Sequence, residues 1–151
     1  MLSKNTHGFF GVGYFRTVRG SLCAARQLRK RSGGAIVNVG SVLGDRSVLL
    51  QGSYCSIKSA VYGFTDTLRM KLERDDAGVS VTAMKPNGMD APDSEHEQNK
   101  PDKPARLPLG KYDLELVAKT ICFTCANPKL YLKVVGGIRA QLSGSTATWR
   151  N

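Results

Sequence analysis

Two β-rich runs, Ala35–Val39 and Val79–Pro86, enclose a stretch in which Ile57, Val61, Phe64, Leu68 and Leu72 recur at intervals of four, three, four and four. That spacing predicts an amphipathic helix, opened by Tyr54 and closed by Glu73-Arg74-Asp75-Asp76 and Gly78. The first run is continuous and bounded by glycines, so it reads as a strand buried on both faces. The second reads as a buried strand stopped by Pro86. A strand, a helix and a strand in that order imply a right-handed crossover and parallel pairing.

The rest of the chain extends the alternation. "YDLELVAKTICFTCANP" predicts a helix with Asp113 as N-cap and Asn127-Pro128 as stop, and "YLKVVGG" a third strand at 131–135. Upstream, a helix from about Tyr14 to Arg31 fills the space before Ala35. Its last turn carries Arg29, Lys30 and Arg31 ahead of Ser32-Gly33-Gly34, cations followed by a glycine stop. The expected fold class is α/β, with about three parallel strands and three helices. Residues 1–17 are read as an irregular segment, 18–137 as the α/β unit, 138–151 as a tail without pattern, and the proline-rich, charged stretch 90–110 as a loop or flap.

Composition limits the function classes. A chain of 151 residues, 41% hydrophobic, suits one globular domain. The formal charge is +10, and no acid precedes Asp45; nucleic-acid binding through Arg16 to Arg31 is a third alternative, but the helix-terminal role of the last three cations explains part of that excess and nucleic acid is not the expected partner. No run approaches the ~20 apolar residues of a membrane helix. Four scattered cysteines make no disulfide framework, which leads us to expect a cytoplasmic protein, with an amino-terminal targeting segment as the minor alternative. Cys122 and Cys125 form a Cys-x-x-Cys within a helix and are read as buried or half-buried helix cysteines; His7 and His96 fall in loops without a ligand pattern, so no metal is expected.

The chemistry concentrates at Ser41, Tyr54 and Lys58. Open parallel sheets gather functional groups at the carboxyl ends of their strands, and Ser41 follows such an end. Tyr54 opens the next helix, with Lys58 one turn further on the same face. A phenol with a pKa near ~10 is a poor base at neutral pH, but a neighbouring ammonium stabilises its anion. A serine hydroxyl nearby can then hydrogen-bond a substrate oxygen while the phenol exchanges its proton.

Ser41, the Tyr54-Cys55-Ser56-Ile57-Lys58 motif thirteen residues on, and the segments "NVGSVLG", "GFTDTLRMKLE" and "KPNGMD" together resemble the carboxyl-terminal part of a short-chain dehydrogenase/reductase, over roughly Val18 to Gly137. The resemblance implies a truncated Rossmann-like sheet with the Ala35–Val39 strand left at its edge. It implies NAD or NADP as cofactor and a small alcohol or carbonyl as substrate. Tyr54 would be the general acid/base, Lys58 would lower its pKa and hold the nicotinamide ribose, and Ser41 would orient the carbonyl. Pro86, Gly88 and Met89 would approach the nicotinamide. The family's relay asparagine would fall at Gly13 or Tyr14. The glycine-rich "GFFGVG" (Gly8, Gly11, Gly13) follows no strand and precedes no suitably placed acid, so it is read as a loop and not a phosphate turn. A second reading is a non-catalytic association module, with a homodimer formed through helices 18–31 and 54–74.

Overall fold

The computed structural model describes residues 6–49, 51–88, 113–127 and 132–135. Among them run a helical stretch made of α1 (Thr6–Phe10), a π-turn (Gly11–Phe15) and α2 (Arg16–Lys30), then β1 (Gly34–Val39), a 3-10 turn (Val42–Gly44), α3 (Gly52–Arg74), β2 (Val79–Pro86), α4 (Leu114–Ala126) and β3 (Leu132–Val135). The three described strands form one parallel sheet in the order β1-β2-β3, as the alternation predicts. Met89, the loop 90–110 and the tail 138–151 lie outside the described residues.

The apolar stripe of α3 closes the core. Ile57, Val61, Leu68 and Leu72 are buried, and Leu68 and Leu72 meet Ala25 of α2 with Ile36, Val79 and Val81 of the sheet. Burying such aliphatic side chains stabilises by roughly 1.5–3 kcal/mol each. A polar stitch joins the same three elements: Ser21 Oγ donates to Asn38 Oδ1 at 2.9 Å, and Asn38 Nδ2 donates to Thr65 Oγ1 at 3.0 Å. All three side chains are buried, so each bond also removes the cost of an unpaired polar group.

Three expectations are corrected. β1 is not buried on both faces: Ile36 and Asn38 are buried, but Ala35 and Val37 are half-exposed and Val39 is exposed. Among the described strands β1 stands at the sheet edge, and Ile36 packs against Ala25 of α2 and Leu68 and Leu72 of α3; the strand buried along its length is β2, between its two partners. The described part of residues 1–17 is helical and not irregular, and it includes His7 and the glycines of "GFFGVG". Phe10, Phe15 and Arg16 keep right-handed helical dihedrals, so the glycines widen one turn without ending the helix. Cys122 and Cys125 are exposed, because α4 turns Thr124 inward instead.

The caps follow the sequence. Gly33 N–H and Arg31 N–H both return to the Leu28 carbonyl at 3.0 Å, closing α2 before β1. Gly33 has φ +114°, and a Cβ there would come within 2.3 Å of the Gly78 carbonyl oxygen. Asp113 caps α4 by accepting from Glu115 N–H at 2.9 Å, and Asn127 ends that helix.

Candidate active site

Parallel pairing in register sets Val39 opposite Met84, so the carboxyl ends of β1 and β2 lie side by side. Gly40 extends the ladder by donating its N–H to the Met84 carbonyl at 2.7 Å. Ser41 follows, buried, with extended backbone, and caps the 3-10 turn: its Oγ accepts from Leu43 N–H at 3.2 Å. That bond uses a lone pair and leaves the hydroxyl proton for donation.

The first turns of α3 pack along this loop. Ser59 Oγ donates to the Gly44 carbonyl at 2.5 Å, tying helix to turn. Tyr54, Lys58 and Tyr62 are spaced by four and share a helical face. Lys58 Nζ donates to the Val39 carbonyl at 3.4 Å and lies 5.4 Å from the centroid of the Tyr54 ring. Burial pulls the Lys58 ammonium below the usual lysine range. Tyr54 is 43% exposed, so its ring is open to an incoming ligand while its neighbour is partly withdrawn from water.

The structure therefore brings Lys58 against both Tyr54 and the strand end that carries Ser41. Pro86 is buried at the end of β2, and Gly88 N–H is held by Asn87 Oδ1 at 2.9 Å. Gly13 packs on Ile57, the residue before Lys58, so closely that a Cβ there would come within 2.8 Å of Ile57 Cγ2. Tyr14 instead meets Phe64 edge-on at 6.4 Å. Position 13 thus neighbours the Lys58 turn without offering a polar side chain.

Sequence reasoning missed three residues of this cluster. The Tyr62 hydroxyl accepts from Ser41 N–H at 2.7 Å and donates to the Ser41 carbonyl. Lys85, buried near the end of β2, places Nζ 4.2 Å from the Tyr62 ring centroid and 2.5 Å from Asp45 Oδ1. The available signal was the four-residue spacing from Tyr54 through Lys58 to Tyr62.

A family model for the short chain dehydrogenase matches residues 3–103. The chain belongs to the short-chain dehydrogenase family. An uncharacterized oxidoreductase of Bacillus subtilis, YxnA, is 38% identical over 122 residues, which are 80% of this chain and 34% of that protein. Carbonyl reductase family member 4 of Xenopus tropicalis is 27% identical over 93% of this chain and 60% of its own length. Among solved structures, a short-chain dehydrogenase from Sphingobium yanoikuyae in complex with NADPH superposes with a TM-score of 0.73 at 16% identity, covering 89% of this chain and 50% of that one. Acetoin dehydrogenase YohF from Salmonella typhimurium gives 0.73 at 19%, over 97% and 61%. These superpositions establish the fold of the family. The chain spans 34% to 60% of the length of the two curated relatives.

The family's nicotinamide cofactor can be tested against the residues present. The half-buried ammonium of Lys58, held at the Val39 carbonyl beside the exposed Tyr54 ring, suits the nicotinamide end. Gly8, Gly11 and Gly13 do not form a phosphate turn, since they lie inside the helical stretch. Among the described residues there is no cluster of metal ligands, and no helix is long and apolar enough to cross a membrane.

Proposed function

We propose that this chain carries the proton-exchange half of a site for NAD(P)-dependent interconversion of an alcohol and a carbonyl. The observation that carries the reading is Lys58, held half-buried between the Val39 carbonyl and the Tyr54 ring at the strand end that leads into Ser41. When bound, the nicotinamide supplies or accepts the hydride at the substrate carbon. Tyr54 donates its phenolic proton to the carbonyl oxygen in reduction and takes it back in oxidation. Lys58 favours the phenolate that results, because a cation nearby lowers the cost of that anion. Ser41 donates its hydroxyl proton to the same substrate oxygen and orients it. Lys58, Tyr54, Pro86, Gly88 and Met89 are the proposed contacts of the nicotinamide end.

Relatives named for carbonyl reduction, L-xylulose reduction and acetoin dehydrogenation motivate a substrate panel of small carbonyls and alcohols. The test is a fluorescence titration of the purified chain with NADH and NADPH, with Tyr54→Phe and Lys58→Ala as controls. Saturable binding weakened by Lys58→Ala supports the reading. A folded chain that binds neither cofactor refutes it for this molecule alone.

A second reading, an association module that pairs through α2 and α3 as a homodimer, is favoured by one observation. Leu22 of α2 and Met70 of α3 are large apolar side chains left 42% and 62% exposed. Sedimentation equilibrium of the chain and of Leu22→Glu tests it, a monomer at high concentration being the contrary result.

A further inference from the structure

Helix α3 carries a second tyrosine on the face of Tyr54 and Lys58, and this one packs on the Ser41 loop. Tyr62 lies two turns further along the same face, and its surroundings differ in kind. Its ring is wedged between two glycines: a Cβ on Gly40 would come within 2.2 Å of Tyr62 Cε1, and one on Gly44 within 2.4 Å of Cε2. Its hydroxyl bonds both backbone groups of Ser41, accepting from the N–H at 2.7 Å and donating to the carbonyl. The Lys85 ammonium covers the ring at 4.2 Å and is itself held by Asp45, which follows the 3-10 turn that Ser41 caps.

We infer that Tyr62 is a positioning residue for Ser41: its hydroxyl fixes the serine backbone at the end of β1, and the Lys85–Asp45 pair fixes Tyr62. The inference rests on the proposed function for the use made of Ser41, though the clamp itself does not. A phenol that donates to the Ser41 carbonyl has to keep its proton. Burial pushes the Tyr62 phenol well above its usual range; the Ser41 backbone bond opposes that rise, and the charges of Asp45 and Tyr54 add to it. The two tyrosines are thereby set to opposite tasks, one beside Lys58 to exchange a proton and one to retain it. A hydroxyl nucleated on Ser41 is useful only at a defined position, since a misplacement of ~1 Å at a reacting centre costs on the order of 100-fold in rate.

The test uses the full chain with Tyr62→Phe, Ser41→Ala and the double variant. Amide exchange by NMR reads the clamp directly. Tyr62→Phe is expected to speed exchange at Ser41 N–H about fivefold or more, as the loss of a bond worth ~1 kcal/mol or more implies, with the Val81 and Met84 amides unchanged. NADPH-dependent reduction of L-xylulose and acetoin oxidation read the role. Tyr62→Phe lowers kcat about 10- to 100-fold with KM within about twofold, and costs nothing further once Ser41 is alanine. Unchanged Ser41 exchange, or a kcat loss that multiplies with that of Ser41→Ala, overturns the inference. If the folded wild-type chain shows no turnover, the proposed function has failed, and the Ser41 amide alone then decides the positioning.

Discussion

Asp45 and Lys85 form an ion pair whose two ends stand in different solvents, and that asymmetry makes a sharp prediction. The Lys85 side chain is 10% exposed and Asp45 is 52% exposed. Removing one partner of a fully buried pair costs about 3–5 kcal/mol, because the other charge is left without compensation. Asp45→Ala leaves the buried ammonium unpaired; with half of Asp45 already in water, we expect about 2 kcal/mol. Lys85→Met leaves a carboxylate that water can reach and replaces the ammonium stem with a similar apolar volume. The losses there are the pair and a cation–π contact of roughly 1 kcal/mol, offset by release from desolvation, so the net cost is expected at about 1 kcal/mol or less. The two changes should therefore be non-additive in a telling direction: adding Lys85→Met to Asp45→Ala should restore stability. Urea unfolding with two probes measures this, a 2 kcal/mol loss moving the midpoint by about 1 M. The reasoning is refuted if Lys85→Met costs as much as Asp45→Ala, or if the double variant is less stable than Asp45→Ala alone.

Lys58 links stability to pH. Its folded pKa lies below the unfolded value near ~10.4, so between the two the unfolded chain binds more protons and stability rises with pH. The burial penalty is fully present below the folded pKa and vanishes above the unfolded one; denaturation of wild type and Lys58→Met across alkaline pH should show the wild type gaining on the variant as pH climbs toward that value. Gly40→Ala should displace the Tyr62 ring and lower kcat about tenfold or more while leaving NADPH affinity within about twofold, measured by turnover and titration. Gly33→Ala should cost about 2 kcal/mol in urea unfolding, since it combines φ +114° with a Cβ against the Gly78 carbonyl.

The periodic elements were legible in the sequence because burial follows local spacing. Four of the five stripe residues of α3 are buried and Phe64 is half-buried, and the strand-helix alternation gave the parallel sheet. The caps Asp113 and Asn127 fell where side-chain chemistry puts them. What escaped depends on contacts between distant segments. Asn38 sits within the β-rich run, and its bonds to Ser21 and Thr65 explain its burial. Beyond its spacing from Lys58, Tyr62 carries no local signal of its own, because its ring packs against Gly40 and Gly44, some twenty positions away. The glycines of "GFFGVG" suggested a loop, but a helix continued by its neighbours tolerates them at roughly 1 kcal/mol each. Ser41 and Lys58 were singled out because family-like spacing flagged them; Lys85 was not, because nothing local separates an ion-paired lysine from a strand-end cation.

The central claim is that Tyr54 exchanges the proton that accompanies hydride transfer. NADPH deuterated at nicotinamide C4 should be incubated with the chain and a small carbonyl such as L-xylulose, and the alcohol analysed by mass spectrometry. The account predicts deuterium at the carbinol carbon with wild type, and transfer at least ~100-fold slower with Tyr54→Phe. Deuterium transferred equally fast by Tyr54→Phe, or none transferred by a folded chain that binds NADPH, would contradict it.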